Sequence, residues 1–239
     1  MGESDLALTL LGENRSKLRC IAKGARKPTS TFSSRLELYS VVDIMCARGK
    51  NLDIIKEARL AEPHAALRTD IARNACAAPV AELLDAVSHE DLETPRLFPM
   101  AVSALDHIAE LDQPKALAIC SAQLLKTLSV IGFRPSLDRC VHCGNPIDLQ
   151  SSEATLSISD IDGGALCDDC LVWGETRRMD RLVAAWANAL INMTFDQIAL
   201  TAIDTGVCFE ILSFAHQWTR VHVGRSLKSM NFLLTSGLF

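Results

Sequence analysis

Four cysteines in two closely spaced pairs are the residues of this chain best suited to chemistry. Cys140 and Cys143 form one C-x2-C pair, Cys167 and Cys170 form the second, and residues 144–166 separate them. Two residues between thiolates allow one tight turn to direct both sulfurs at the same ion, and two such turns complete a tetrahedral zinc site. Because four protein ligands leave no open coordination position, the pattern predicts one structural zinc ion rather than a catalytic one.

The other cysteines are single and lie in apolar surroundings: Cys20, Cys46, Cys76, Cys120 and Cys208. Isolated cysteines of this kind are typical of buried thiols in a reducing compartment. The N-terminal residues show neither the basic region nor the apolar core of a secretory signal, and no stretch approaches the roughly 18–20 apolar residues of a membrane span. The sequence therefore predicts a cytoplasmic protein with no membrane partner.

No catalytic constellation accompanies the cysteines. The sequence has no Walker-type phosphate loop and no G-x-S-x-G motif. A zinc deaminase would need H-x-E and a proline directly before a C-x2-C pair, but Arg139 precedes Cys140. A thioredoxin-like redox role would need a single C-x2-C in a β/α setting, which the sequence lacks. We therefore predict that the chain is not an enzyme.

A second candidate site is a cluster of basic residues near the N-terminus. The chain has a net charge of −5, yet residues 15–35 include seven lysines and arginines and no acidic residue. A local run of one sign on an acidic protein indicates an anionic partner, although a solubilising loop would have the same composition. The residues that we predict to contact nucleic acid are Lys17, Arg19, Lys23, Arg26, Lys27 and Arg35.

The basic cluster begins with an alternating pattern. Residues 17–23 alternate basic and apolar side chains, which is typical of a strand with one buried and one solvated face. Lys17, Arg19 and Lys23 would lie on the solvated face, and the Gly-, Pro- and Ser-rich residues 24–34 would form a basic loop beyond it. Such a surface can follow a phosphate backbone without reading base edges.

The elements that must position these two sites divide into a β-rich and a helix-rich part. Apolar stretches separated by turns predict strands over 6–11, 17–23, 36–46 and 52–60, as in a small barrel or sandwich. Helical periodicity predicts helices over 64–89 (with a break expected near Pro79), 95–111, 114–131, 181–193 and 207–223, then a short segment at 226–233. We therefore predict an α+β fold with a β domain over residues 1–62 and a helical domain over 63–239. The helical domain would carry the cysteine insert at about residues 138–172.

Several short motifs occur in order along nearly the whole chain. Those of the N-terminal part are Gly2-Glu3-Ser4-Asp5, Leu8-Thr9-Leu10, Gly24-Ala25-Arg26, Arg35-Leu36-Glu37, and Leu52-Asp53 followed by Ile55. Those of the C-terminal part are Leu137-Asp138-Arg139 before the first cysteine pair, Gly163-Gly164 and Leu166 before the second, and Val223-Gly224-Arg225 followed by Leu227-Lys228-Ser229. Together these motifs resemble the bacterial DNA repair protein RecO family.

The resemblance implies a fold and a role. The fold would be an N-terminal OB-fold β-barrel followed by an α-helical domain with a zinc site of four cysteines. The role would be to bind single- and double-stranded DNA and to anneal complementary strands, including strands coated by single-strand-binding protein. With RecR, such a protein helps RecA to replace single-strand-binding protein in the RecF pathway of recombinational repair. The implied location is the cytoplasm, in association with the nucleoid.

The resemblance also assigns residues. Cys140, Cys143, Cys167 and Cys170 would be the zinc ligands, and the six basic residues named above match the basic face of the family's barrel. Family members usually begin further upstream, with a strand ahead of the Gly2-Glu3-Ser4-Asp5 turn at which this chain starts. The OB-like barrel would then lack its first strand and expose an edge, and we expect the true start to lie upstream.

Other classes of function stay open at this point. The chain could be a protein-interaction adaptor whose acidic helical domain docks partners while the basic strand is incidental. It could also be an RNA-binding OB-fold protein, which a comparison of DNA and RNA of equal length would separate. A hydrolase is the least favoured class, because no nucleophile–base set is visible.

Overall fold

A computed structural model describes residues 2–13, 17–90, 92–173 and 175–239, with the backbone alone at 172 and 173. The architecture is α+β, as predicted: a four-stranded N-terminal sheet precedes a set of helices into which a smaller three-stranded sheet is inserted. None of the helices in the described ranges has the length and apolar character that a membrane span requires.

The N-terminal sheet carries the predicted basic strand. Its strands are β1 (Leu6–Leu10), β2 (Leu18–Ala22), β3 (Val41–Ala47) and β4 (Asp53–Glu62). They are arranged in the order β1-β2-β4-β3, in which β2 and β4 are parallel and the other two pairs are antiparallel. All four predicted strands are present, but the third begins later than expected, because Tyr39 has a left-handed φ of 67° that no strand can include.

The predicted alternation gives the sheet one buried and one exposed face. Cys20 and Ala22 of β2 are fully buried together with Ile55 and Ala58 of β4, and the leucines of β1 pack against them. Arg19 is exposed and lies between the half-buried Leu18 and the buried Cys20. The period of two in this segment therefore reflects a single apolar layer beneath a solvated surface.

The described strands form an open sheet and not a closed barrel. β1 pairs only with β2 and β3 only with β4, so β1 and β3 are the two edges of the sheet. A closed barrel would require a hydrogen-bonded ladder that joins these edges. The OB-fold assignment itself stays a prediction.

The helical part is built around one buried helix. Its helices are α1 (Ala66–Thr69), α2 (Ile71–Val87), α3 (Leu97–Glu110), α4 (Gln113–Val130), α5 (Arg181–Asn192), α6 (Phe195–Ala199), α7 (Thr205–His222) and α8 (Lys228–Thr235). Almost every residue of α4 from Ala116 to Leu128 is buried, because α2, α3, α5, α6 and α7 all pack around it. The Ala-rich composition of α4 permits this close packing on every side.

The helical stretch that was predicted over 64–89 is divided at Asp70 rather than near Pro79. The Asp70 carboxylate accepts hydrogen bonds from the backbone N–H groups of Ala72 and Arg73 and so caps α2 at its first turn. Pro79 is buried inside α2 without ending it. The packing of α2 against α3, α4 and α8 outweighs the one backbone hydrogen bond that proline cannot make.

The cysteine insert has its own small sheet between α4 and α5. The sheet consists of β5 (Thr155–Ser159), β6 (Gly164–Leu166) and β7 (Arg177–Asp180) in the order β6-β5-β7, and a 3-10 helix covers Asp168–Trp173. Arg181 at the start of α5 is buried and donates to the backbone carbonyls of Asp148, Glu153 and Thr155. This side chain fastens the insert to the helices.

Candidate metal centre and basic surface

The four predicted cysteines converge. Their sulfur atoms all lie within 4.8 Å of one another, and Sγ of Cys143 is 3.6 Å from Sγ of Cys167. A tetrahedral site with metal–sulfur bonds of about 2.3 Å has sulfurs about 3.8 Å apart. The four side chains therefore need only small adjustments to surround one ion.

Local backbone geometry directs each pair of sulfurs. In the first turn the N–H of Gly144 donates to the carbonyl of Cys140 at 2.9 Å, and Gly144 has a left-handed φ of 74°. In the second turn the N–H of Cys170 donates to the carbonyl of Cys167 at 2.9 Å. Both turns are thus closed by the chain itself, and glycine supplies the one conformation that a side chain would disfavour.

Backbone hydrogen bonds of Ala165 with Val141 and Ser136 bring the two cysteine pairs together, and we call these contacts the clamp. The N–H of Val141 donates to the carbonyl of Ala165 at 2.9 Å, and the N–H of Ala165 donates to the carbonyl of Ser136 at 2.7 Å. The backbone at Ser136 runs so close to β6 that a Cβ at Gly164 would lie 2.1 Å from the Ser136 carbonyl oxygen. Only glycine permits this approach, which places the residues after β6 beside the first turn.

The protonation of the cluster favours a cation. Burial raises the pKa of the Cys140 thiol, but hydrogen bonds from three backbone N–H groups, chiefly that of Cys143, bring it down to about 6. The hydrogen bond to Cys167, followed by burial, raises the pKa of Cys170 to about 12. One sulfur is thus held as a thiolate while a neighbour retains its proton, and a bound dication would displace the remaining protons.

The donor set fits zinc. Four soft sulfur ligands in a compact arrangement suit Zn²⁺, which has no geometric preference of its own. Cys140, Cys143, Cys167 and Cys170 would hold the ion, and the imidazole of His142 instead lies 3.7 Å from the carboxylate of Asp162. When bound, such an ion would cross-link the two turns and contribute to folding rather than to a reaction.

Unlike the four cysteines, the predicted basic residues do not converge on one point but are spread along a strand and a loop. Arg19 is exposed on β2, Lys23 is exposed directly after the strand, and Arg26 and Lys27 are exposed in the loop that follows. The turn at Gly24, with a φ of 65°, joins strand and loop. These four side chains are available to an anionic partner at one end of the sheet.

Two of the six predicted residues are engaged within the protein. Nζ of Lys17 lies 2.8 Å from Oδ1 of Asp85 and donates to the carbonyl of the same residue at 2.7 Å. Asp85 is in the last turn of α2, so Lys17 supplies both a donor and a positive charge to the end of that helix. Nη1 of Arg35 donates to the carbonyl of Ala58 on β4 at 2.9 Å.

Sequence reasoning missed two basic residues on β4. Lys56 and Arg59 are exposed, and with Arg35 and Met45 they line a groove of about 550 Å³ on the sheet. The register pairs Asp43 with Arg59 across the strands, so one of these charges has an acidic neighbour. The strand period could not have found them, because Ile55 and Ala58 are buried three residues apart, and the register shifts between Met45 and Cys46 on the neighbouring strand.

The five other cysteines carry no site. Burial raises the pKa of the Cys76 thiol well above its ordinary value and that of the Cys208 thiol to about 12. Sγ of Cys20 and Sγ of Cys46 lie 3.8 Å apart, but their strands β2 and β3 flank β4. Both cysteines are free thiols.

The sequence is similar to known proteins over most of its length. Residues 1–64 match the family model for the Recombination protein O N terminal, and residues 68–231 match that for the Recombination protein O C terminal. The DNA repair protein RecO of Frankia casuarinae is 30% identical over 243 residues, which cover 98% of this chain and 93% of the relative. The DNA repair protein RecO of Heliobacterium modesticaldum is 34% identical over 169 residues, which cover 71% of this chain and 60% of the relative. The chain belongs to the RecO family.

Proposed function

We propose that this chain is a DNA repair and recombination mediator that binds single- and double-stranded DNA and anneals complementary strands. The observation that carries the proposal is the exposed basic surface of Arg19, Lys23, Arg26 and Lys27 on a chain of the RecO family. In this proposal residues 1–62 form the DNA-binding domain and residues 63–239 the helical domain. The relatives' printed name, DNA repair protein, supports the cellular role.

The mechanism of annealing would be electrostatic. Lysine and arginine side chains neutralise phosphates and release the counterions condensed on them. When two strands share one basic surface, the repulsion between their backbones falls, and base pairing can begin. The basic side chains lie on a strand and the loop after it, and such a surface contacts backbones of any sequence. No proton transfer or covalent step is required, so the protein would act without catalysis.

The aromatic residues near the surface support a role for phosphates rather than for base stacking. Phe32 packs against the core of the sheet, and Tyr39 packs against the helices. A hydrogen bond joins the side chains of Tyr39 and Asn74, and burial raises the pKa of the Tyr39 hydroxyl. The Tyr39 ring is thus not presented as a stacking platform, and Phe32, which lines the groove on the sheet, is only partly exposed, so affinity should follow chiefly charge and salt.

The remaining parts of the proposal concern partners and the metal. The chain would act in the cytoplasm with RecR and single-strand-binding protein, and it would assist RecA indirectly within the RecF pathway. One structural zinc ion would be held by the four clustered cysteines. The zinc would stabilise the insert and would take no part in annealing.

Annealing of two complementary oligonucleotides, followed by fluorescence without ATP across a salt series, tests the function. We expect acceleration that fades steeply with salt, since counterion release makes affinity strongly salt-dependent. A variant with Arg19→Glu and Lys23→Glu should lose the acceleration. The matched control reverses two exposed charges of the helical part, Arg220→Glu and Arg225→Glu. No acceleration by the wild-type chain, or a flat salt response, would reject the proposal.

A further inference from the structure

His64 is a buried histidine at the junction between the N-terminal sheet and the helices. It lies between β4 and α1. Its Nδ1 is 2.8 Å from the carbonyl oxygen of Tyr39, which precedes β3, and its Nε2 is 2.6 Å from Oδ1 of Asp106 on α3. One imidazole ring therefore joins the sheet to α3 through both of its nitrogens.

Backbone strain is concentrated at the same junction. His64 and Tyr39 have φ angles of 42° and 67°, and within the described ranges they are the only residues other than glycine with a positive φ. Residues with a Cβ adopt this conformation only where surrounding contacts fix it, as occurs at switch regions. The two strained residues are also hydrogen-bonded to each other, so the strain and the contact form one unit.

The number of protons on the His64 ring decides how many of its contacts can form. A carbonyl oxygen and an ionised carboxylate both accept hydrogen bonds and cannot donate them. A neutral imidazole has one N–H, so it donates to Tyr39 or to Asp106, and its other nitrogen then turns a lone pair toward an acceptor. A doubly protonated ring donates to both partners at once.

The other polar groups at the junction already have partners. Nη1 of Arg68 on α1 donates to the carbonyls of Leu38 and Pro63 at 2.8 and 2.7 Å, and its Nε lies 4.0 Å from the carboxylate of Glu37. Asp106 is the carboxylate in contact with the ring, and its side chain is 43% exposed. The ring itself is 5% exposed, so water cannot readily replace a lost contact.

We infer that His64 is a protonation-dependent latch that fastens the N-terminal sheet to α3. The doubly protonated ring holds Tyr39 and Asp106 together and keeps the strained backbone in place. Once a rise in pH has removed one ring proton to the solvent, one of the two hydrogen bonds is lost, and a lone pair of the ring faces an acceptor. The sheet then becomes less tightly held to the helices. The inference does not depend on nucleic-acid binding.

A double-mutant cycle on the full chain tests the latch. The variants are His64→Gln, Asp106→Asn and their combination, and the equilibrium constant of unfolding is measured at one pH below and one pH above the loss of the second ring proton, which NMR of the wild-type chain locates. A contact made by a protonated histidine is present at low pH and is lost as pH rises. We expect a coupling of about tenfold at the lower pH and at most about twofold at the higher pH.

A second histidine provides a matched control. His107 also has one ring nitrogen near a carbonyl, that of Ser103 at 2.7 Å, and the other near a carboxylate, that of Asp196 at 3.1 Å. This contact joins α3 to α6 and does not touch the sheet, and the Asp196 side chain is 89% exposed. The cycle of His107→Gln and Asp196→Asn should therefore give a smaller coupling at both pH values.

NMR spectroscopy and hydrogen exchange of the wild-type chain test the latch without any variant that has to fold. Long-range proton–nitrogen NMR spectra of the ring should show two protonated nitrogens for His64 at the lower pH and one at the higher pH. Hydrogen exchange in β3 should quicken over the same interval. Equal coupling at both pH values, or a ring with one proton throughout, would overturn the latch.

Discussion

The metal centre and the basic surface were predicted with equal directness, yet the fold constrains them very differently. The four cysteines converge within 4.8 Å, because two self-closed turns and a strand clamp leave them little freedom. The basic residues lie along a strand and a loop, and two of the six are engaged by neighbouring elements. A coordination site requires convergence, whereas an electrostatic surface requires only that charges of one sign share a side of the molecule.

The largest expected effect is loss of the metal. Cys170→Ser should abolish stoichiometric zinc and destabilise the chain by at least about 3 kcal/mol, because the binding free energy of the ion would no longer contribute to folding. Metal analysis of the purified protein and thermal unfolding would measure both effects. Cys46→Ser is the control, since this thiol lies outside the cluster and should leave the metal content unchanged. Full stability of a metal-free wild-type chain would contradict the structural role.

Gly164→Ala tests whether the close approach of Ser136 to β6 holds the two cysteine pairs together, because it changes none of the four cysteines. The new Cβ would lie 2.1 Å from the Ser136 carbonyl oxygen, so the clamp must open. We expect a loss of about 2–4 kcal/mol and weaker metal retention, measured by unfolding and by competition with a chelator. Gly163→Ala is the control, because a Cβ there meets nothing within 4 Å and only its φ of 93° is strained. Equal effects of the two substitutions would show that the clamp is unimportant.

Within the basic surface, Lys17 and Arg19 should behave in opposite ways. Arg19→Ala should weaken DNA binding several-fold and lower the salt slope by about 0.7–0.9, the value of one phosphate contact, with unchanged stability. Lys17→Ala should cost about 1 kcal/mol of stability and change affinity little, since its ammonium caps α2 and pairs with Asp85. Oligonucleotide titrations across salt, together with denaturant unfolding, separate the two roles. If both variants lost affinity equally, Lys17 would belong to the DNA surface after all.

The sequence predicted the elements well where one pattern decided the outcome. The period of two in β2 was confirmed, because apolar burial on one side dictates it, and the proline-opened helix α4 was confirmed although it is buried on nearly every side. Tertiary contacts decided the rest. Nothing in the local sequence pairs Lys17 with Asp85, which lies 68 residues away, or distinguishes an open sheet from a closed barrel. Likewise Pro79 continues a helix only because neighbouring helices hold it.

The four cysteines were predictable as a group because spacing alone defines each turn. The clamp that unites the pairs was not predictable, although Gly164 was visible as a turn residue. Its need for glycine arises from the approach of Ser136, which the sequence does not encode locally. The same limit applies to His64, whose partners Tyr39 and Asp106 come from both sides along the chain.

The smallest expected effect concerns Glu82. Like the cysteine cluster, Glu82 joins segments that are distant in the chain, but it does so through hydrogen bonds. Its carboxylate on α2 accepts from the N–H groups of Lys228 and Ser229 and so caps α8, whose own first residues provide no side-chain cap.

Burial raises the pKa of Glu82, but the hydrogen bonds from Ser229 and Lys228 outweigh burial and lower it below its ordinary value of 4.5. A carboxylate with a lowered pKa stabilises the fold above that ordinary value, and this stabilisation is lost as pH falls through the lowered pKa. Glu82→Gln should therefore cost about 1 kcal/mol near neutral pH and progressively less in acid, as measured by unfolding from neutral to acidic pH. Glu90→Gln is the control, since Glu90 is exposed beyond the end of α2 and should show no such trend. A cost that stayed constant into acid would mean that the shape of the side chain, and not its charge, caps α8.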